Sequence, residues 1–134
     1  RRKLQKQARE LNNVKFHGWV DRQQLRHLLD ASDLLLLPSR LETFGSIALE
    51  AMARGRPALV AAGAGIHEWH DLKDGLICLH EGEAIADKLA ELSRQDVATR
   101  QARSNRARQA AERLNAQTID QWSHLIERAA RTPR

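Results

Sequence analysis

The sequence predicts an α/β fold, an open parallel sheet with helices on both faces. Three observations carry it. Short apolar runs recur without polar alternation at Leu34–Leu37, Pro57–Ala61 and Leu76–Leu79, as in parallel strands covered on both faces. Segments of helical spacing fill the intervals between them. The length of 134 residues, 42% of them hydrophobic, suits one core and one domain, assigned to residues 1–131 with a tail at 132–134.

In chain order, the first ten or so residues read as the end of a helix, stopped by Asn12-Asn13. Val14-Lys15-Phe16 is a short strand closed by Gly18. Asp21 is a helix N-cap, and Gln24 three residues later completes a capping box. Leu25, Leu28 and Leu29 give this helix its apolar face, and Ser32-Asp33 end it. After the run of four leucines, Pro38-Ser39 stop the strand and a loop leads to Gly45. A helix opens at Ser46, with Ile47, Leu49, Met52 and Ala53 apolar and Gly55 as its C-cap. The strand Pro57–Ala61 ends in the Gly63-Ala64-Gly65 loop, and His67–Asp71 form a short helix. Leu76–Leu79 is a fourth strand, followed by a helix from Ala84 to Leu92. Two further helices span about Val97–Leu114 and Thr118–Arg131, the second turning Ile119, Trp122, Leu125 and Ile126 inward.

Composition excludes several classes. No run approaches the roughly 18 apolar residues of a membrane span, and the basic start Arg1-Arg2-Lys3 is not followed by an apolar signal segment. Cys78 is the single cysteine, so neither an internal disulfide nor a cysteine-based zinc site is available, and it reads as a small buried strand residue. His17, His67, His70 and His80 lack acidic or cysteine partners at ligand spacing, so no metal is expected. A reducing cytoplasm fits this set. The net charge of +5 invites a nucleic-acid reading, yet aromatic residues are only 4% and supply few stacking platforms. The densest basic stretch, Arg94 to Arg113, carries alanine, glutamine and Glu112 at helical spacing, as the solvated face of a helix does. It is also suited to the anionic inner face of a membrane. Nucleic acid is not an expected partner.

In an open parallel sheet, ligands bind beyond the carboxyl ends of the strands. The loops to consider are therefore 17–20, 38–45, 62–67 and 80–83. The richest reads Pro38-Ser39-Arg40-Leu41-Glu42-Thr43-Phe44-Gly45-Ser46-Ile47-Ala48-Leu49-Glu50-Ala51-Met52-Ala53-Arg54-Gly55-Arg56-Pro57. A glycine opens a helix there, so the N–H groups of Gly45, Ser46 and Ile47 point outward toward a phosphate. Glu50, about one turn in, can accept hydrogen bonds from a diol such as ribose. Glu42 can reach a group beyond the phosphates.

This string resembles the donor site of the retaining glycosyltransferases of the GT-B fold, the group 1 glycosyl transferase family, with its two glutamates separated by seven residues. Glu42 and Glu50 have that spacing, and the Pro-Ser, Phe-Gly, Glu-Ala-Met-Ala and Gly-x-Pro elements match too. Val14–Val20, Ala31-Ser32-Asp33, Gly63–Glu68 and Asp74–Ile77 extend the similarity, so residues 1 to about 131 resemble the later part of a Rossmann-like C-terminal domain.

The resemblance implies a nucleotide-diphosphate sugar donor and a sugar or lipid-linked acceptor. Glu50 would bind the ribose hydroxyls. Thr43, Phe44, Gly45 and Ser46 would hold the sugar and pyrophosphate. Glu42 would contact the donor sugar and support positive charge at its anomeric carbon. Gly18, Trp19 and Val20 would border the base, though Trp19 reads equally as a lid on the sheet edge. His67 or Glu68 would stand near the donor, while Trp69 and Trp122 read as core or interface residues. Neither cofactor nor metal is implied, because amide N–H groups and basic side chains can balance a diphosphate.

The family's Arg–Lys pair after the first strand, and its N-terminal acceptor domain, have no counterpart in these 134 residues. The resemblance therefore implies that this chain alone lacks the first strands of its sheet and is inactive. It further implies an N-terminal domain of the same protein as a partner, and a role in envelope polysaccharide or glycolipid synthesis. Alternatives are a non-catalytic nucleotide-sugar-binding module, a phosphorylase of the same fold and, last, a basic nucleic-acid-binding domain.

Overall fold

Pro57 leads into the strand that organises the molecule. In the computed structural model, which describes residues 2–131, Ala58–Ala61 forms a strand whose first three residues are fully buried. The expected tail at 132–134 and Arg1 lie outside the described residues.

The elements run α1 (Arg2–Gln7), α2 (Arg22–Asp30), β1 (Leu35–Leu37), α3 (Ser46–Ala53), β2 (Ala58–Ala61), β3 (Leu76–Leu79), α4 (Ile85–Ser93) and α5 (Val97–Arg131). The strands lie in the order β1-β2-β3 and all pairs are parallel, with Leu36 opposite Leu59 and Leu59 opposite Ile77. Successive residues of β2 point to opposite faces. On one face Ala58 and Val60 pack with Ala48 and Met52 of α3 and with Ala107, Ala110, Ala111 and Leu114 of α5. On the other, Leu59 packs with Ile77 and Leu79, joined by Ile85 and Leu92 of α4. Helices thus cover both faces, and the predicted fold class is the observed one.

Local signals were read correctly where they are self-contained. The Asp21 carboxylate accepts the Gln24 N–H at 2.8 Å while the Gln24 side chain accepts the Asp21 N–H at 3.2 Å, closing the capping box of α2. At the end of α3 the Gly55 N–H reaches Met52 O at 2.8 Å and the Arg56 N–H reaches Ala51 O at 2.8 Å. This double closure needs a left-handed residue, which Gly55 supplies at φ +70°, with Arg54 rather than Gly55 as the cap itself.

Several expectations are corrected. Val14-Lys15-Phe16 is not a strand; it is exposed and no strand among the described residues pairs with it. A single extended segment without a ladder partner has no secondary structure to join. The leucine run is a parallel strand, but β1 lies at an edge of this sheet and each of its residues is only half-buried, not covered on both faces. The region after Gly65 forms two 3-10 segments, Gly65–Glu68 and His70–Gly75, instead of one short helix. Leu76–Leu79 is accordingly the third strand. Cys78 is half-buried, not buried: it points to the face of β3 opposite to that of the buried Ile77 and Leu79.

The two expected late helices are one helix, α5, of 35 residues. Neither Gly nor Pro interrupts 114–119, and the Thr118 hydroxyl donates back to Leu114 O at 2.8 Å, within the helix. Burial on α5 ends at Leu114, so Ile119, Trp122, Leu125 and Ile126 are exposed rather than inward-facing.

Candidate functional site

The helix α3 begins where β1 delivers the chain beyond its carboxyl end. Gly45 occupies the N-cap with φ 95° and ψ 50°, a left-handed conformation that a side chain would strain. A Cβ there would also press on Leu37 Cδ2 at 3.2 Å, with Glu42 Cγ in ordinary contact at 3.5 Å. The Gly45 carbonyl accepts the Ala48 N–H at 2.8 Å, which starts the helix. No side chain caps it. Among the described residues, no acceptor meets the N–H groups of Ser46 or Ile47. The partial positive charge of a helix start is therefore open on that side.

The 62–67 loop supports the 38–45 loop from beneath. Gly65 N–H donates to Glu42 O at 3.1 Å, and a Cβ on Gly65 would fall 1.9 Å from Thr43 O. Glu42 and Phe44 are half-buried, while Thr43, Ser46 and Glu50 are exposed. Ser46 and Glu50 share one helix face by their i, i+4 spacing. Among the described residues, neither the Glu42 nor the Glu50 carboxylate has a hydrogen-bond or ion-pair partner.

The structure brings Trp69 to this site, a residue the sequence reading assigned to the core or an interface. Its ring meets Phe44 edge-on, with centroids 5.5 Å apart, and 47% of its surface is exposed. Its spacing matches no helix face, so no periodic signal marked it. His67 is tied down instead of free: its Nε2 lies 3.3 Å from Val60 O, a carbonyl to which that nitrogen can only donate. In the fourth loop the Glu83 carboxylate accepts the His80 N–H at 3.0 Å, and that bond holds its pKa below the usual carboxylate range. Gly18 turns the 17–20 loop with φ 76°, Val20 is half-buried and Trp19 is 89% exposed, so Trp19 serves as no lid within this chain. Among the described residues, no group of three or more His, Cys, Asp or Glu side chains could hold a metal, and no helix is long and apolar enough to cross a membrane.

Comparison with known proteins reaches the same region. Residues 1–111 match the family model described as glycosyl transferases group 1. The chain is 36% identical over 97 residues to a D-inositol 3-phosphate glycosyltransferase of Streptomyces griseus, covering 67% of this chain and 20% of that protein. It is 36% identical over 87 residues to a GDP-mannose-dependent alpha-(1-6)-phosphatidylinositol dimannoside mannosyltransferase of Mycobacterium tuberculosis, covering 64% of this chain and 23% of that one. A protein described as an uncharacterized 41.2 kDa protein in the cps region of Klebsiella pneumoniae is 36% identical over 83 residues, covering 62% of this chain and 23% of that protein. Among solved structures, Anabaena HepE in complex with UDP-glucose superposes with a TM-score of 0.62 at 25% identity, over 92% of this chain and 36% of that one. The chain thus spans about a quarter or less of these curated relatives. Its parallel sheet flanked by helices is similar to GT-B glycosyltransferase structures, and the chain belongs to the group 1 glycosyl transferases.

Proposed function

We propose that residues 1–131 are part of the C-terminal, donor-binding domain of an enzyme that moves a sugar from a nucleotide-diphosphate sugar to an acceptor hydroxyl, with retention of configuration. One observation carries this reading: an uncapped helix start at left-handed Gly45 stands between two carboxylates, Glu42 and Glu50, that none of the described residues engages. The Ser46 and Ile47 amides receive the diphosphate and stabilise the negative charge that grows on it as the glycosidic bond breaks. Glu50 accepts hydrogen bonds from the ribose diol. Glu42, held by the Gly65 loop, faces the sugar and supports its oxocarbenium-like charge. Thr43, Phe44 and Ser46 line the sugar, and Gly18, Trp19 and Val20 border the base.

The acceptor, sugar or lipid-linked, is bound by a preceding N-terminal domain of the same protein. The apolar face of α5 at Ile119, Trp122, Leu125 and Ile126 supports such a partner. Exposed arginines along α5, Arg100, Arg106, Arg108 and Arg113, suit contact with an anionic membrane face, in keeping with envelope polysaccharide or glycolipid synthesis.

The test is a thermal-shift screen of the full-length protein against UDP-, GDP- and ADP-sugars. A donor at a hundred times its Kd should add about 2.7 kcal/mol to the native state. Stabilisation by one base series, accompanied by sugar transfer, is expected. Binding without turnover would make this a nucleotide-sugar-binding module, and no stabilisation by any donor would end the proposal.

A further inference from the structure

A cavity of about 480 Å³ opens at the amino ends of the strands, where Leu34 and Pro57 precede β1 and β2. It lies away from the loops beyond the carboxyl ends, and its size falls within the range of small-molecule sites. Arg56, Arg100 and Arg103 line it, with Asp33 as the acidic residue of the wall and Ile77 and Leu92 among its apolar residues.

The arginines are incompletely satisfied. The Nε–H groups of Arg56 and Arg103 are buried without an acceptor, the only buried side-chain polar atoms in that state among the described residues. Each guanidinium is anchored at its other end, Arg56 Nη2 to Asp30 O at 2.6 Å and Arg103 Nη2 to Gln95 Oε1 at 3.3 Å. Among the described residues, no carboxylate forms an ion pair with Arg56, Arg100 or Arg103. The Asp30 carboxylate is taken by Arg54. The start of α5 does not serve as the ligand here, because the Asp96 carboxylate already accepts the Thr99 N–H at 2.7 Å.

We propose that this cavity binds a phosphate monoester. Three guanidinium charges less the one Asp33 carboxylate leave a charge of +2 on the wall, which a phosphate dianion balances and a single carboxylate does not. Guanidinium forks match phosphate oxygens geometrically, and a small turn of the Arg56 or Arg103 side chain would bring an Nε–H that now lacks an acceptor to a bound phosphate. Burial of an unpaired N–H is unfavourable, so occupancy also stabilises this end of the domain. The site takes a soluble phosphate ester or a phosphate-bearing lipid headgroup by the same chemistry.

The experiment uses the full-length protein with inorganic phosphate and glycerol 3-phosphate in calorimetry, and with phosphatidic acid vesicles in flotation. Arg103→Gln should weaken binding about 10-fold or more, while UDP affinity stays unchanged. Arg100→Gln, on an exposed residue, gives the same readout should Arg103→Gln fail to fold. Binding should also weaken below about pH 6, where the monoester loses its second charge. The arm that binds, soluble or vesicle, identifies the source. No binding in either arm, binding by both variants as tight as by the parent protein, or displacement of phosphate by UDP would overturn the site. Failure of UDP, GDP and ADP alike to bind while phosphate still binds would count against the donor reading alone.

Discussion

The Gly65 N–H donates to the Glu42 carbonyl at 3.1 Å, and the two loops meet so closely that a Cβ on Gly65 would lie 1.9 Å from Thr43 O. The atom struck is backbone, so the loop carrying Glu42 must move to admit it. Gly65→Ala in the full-length enzyme should therefore lower kcat/KM for sugar transfer by roughly 100-fold, the scale of an ångström misplacement of a positioned group. Gly63→Ala is the control, because its Cβ would meet nothing nearer than Arg40 O at 3.9 Å. Equal activity in the two variants would separate the 62–67 loop from the site.

The two glutamates should divide the kinetic effect between them. Glu50 is exposed on the second turn of α3, and Glu42 is half-buried in the loop before it. In the proposed roles Glu50 holds the nucleotide in ground and transition states alike, whereas Glu42 acts as charge develops. Glu50→Ala should raise the donor KM about 10-fold or more with kcat little changed, and Glu42→Ala should lower kcat by at least about 100-fold. Steady-state kinetics with varied donor reads both, and unchanged parameters in the pair would remove the assignment.

What the sequence made legible is what short-range chemistry decides. The Asp21–Gln24 box, the Gly55 closure and the helix start at Gly45 depend on residues within a few positions of one another, and each stands as expected. The same holds for β2, whose burial follows from its apolar composition. What was misread depends on distant partners. Val14-Lys15-Phe16 has strand-like composition but no neighbour to pair with, and the far half of α5 has an apolar stripe but nothing from this chain beneath it. Trp69 joins Phe44 only because a 3-10 turn carries it there, a geometry that no periodicity encodes.

Three carboxylates should set the acid stability of the domain. The pKa of Asp30 is held below the ordinary carboxylate range by the hydrogen bond from Arg54, that of Glu83 by the His80 N–H, and that of Asp96 by the Thr99 N–H at the start of α5. A carboxylate whose pKa is lowered by folding contributes while it is ionised. Its contribution is present above the unfolded value, near pH 4, and is lost as the pH falls through the lower folded value. All three are solvent-accessible, so each effect is small and screened by salt. The urea midpoint of the full-length protein should fall as pH drops below about 4, and Asp96→Asn should make that fall shallower. An unchanged slope in this variant would show that the Asp96 cap does not contribute.

The far half of α5 should matter only when a second domain is present. Trp122 is 61% exposed, and Ile119, Leu125 and Ile126 extend the same stripe. As a 35-residue helix α5 is roughly 50 Å long, and its burial against the sheet ends at Leu114. A contiguous apolar face of this kind on a soluble domain marks a contact surface. If it is covered by the proposed N-terminal domain, Trp122→Ser should destabilise the full-length protein by about 3 kcal/mol, the scale of removing a buried aromatic ring. The same change in the 134-residue chain should leave its unfolding free energy within about 0.5 kcal/mol of the parent, as for other surface positions. Hydrogen exchange over 119–126 gives the independent reading, with protection expected in the full-length protein and rapid exchange in the chain alone. Fast exchange in both would mean that the stripe faces no domain of its own protein, and the two-domain arrangement would have to be built on another surface.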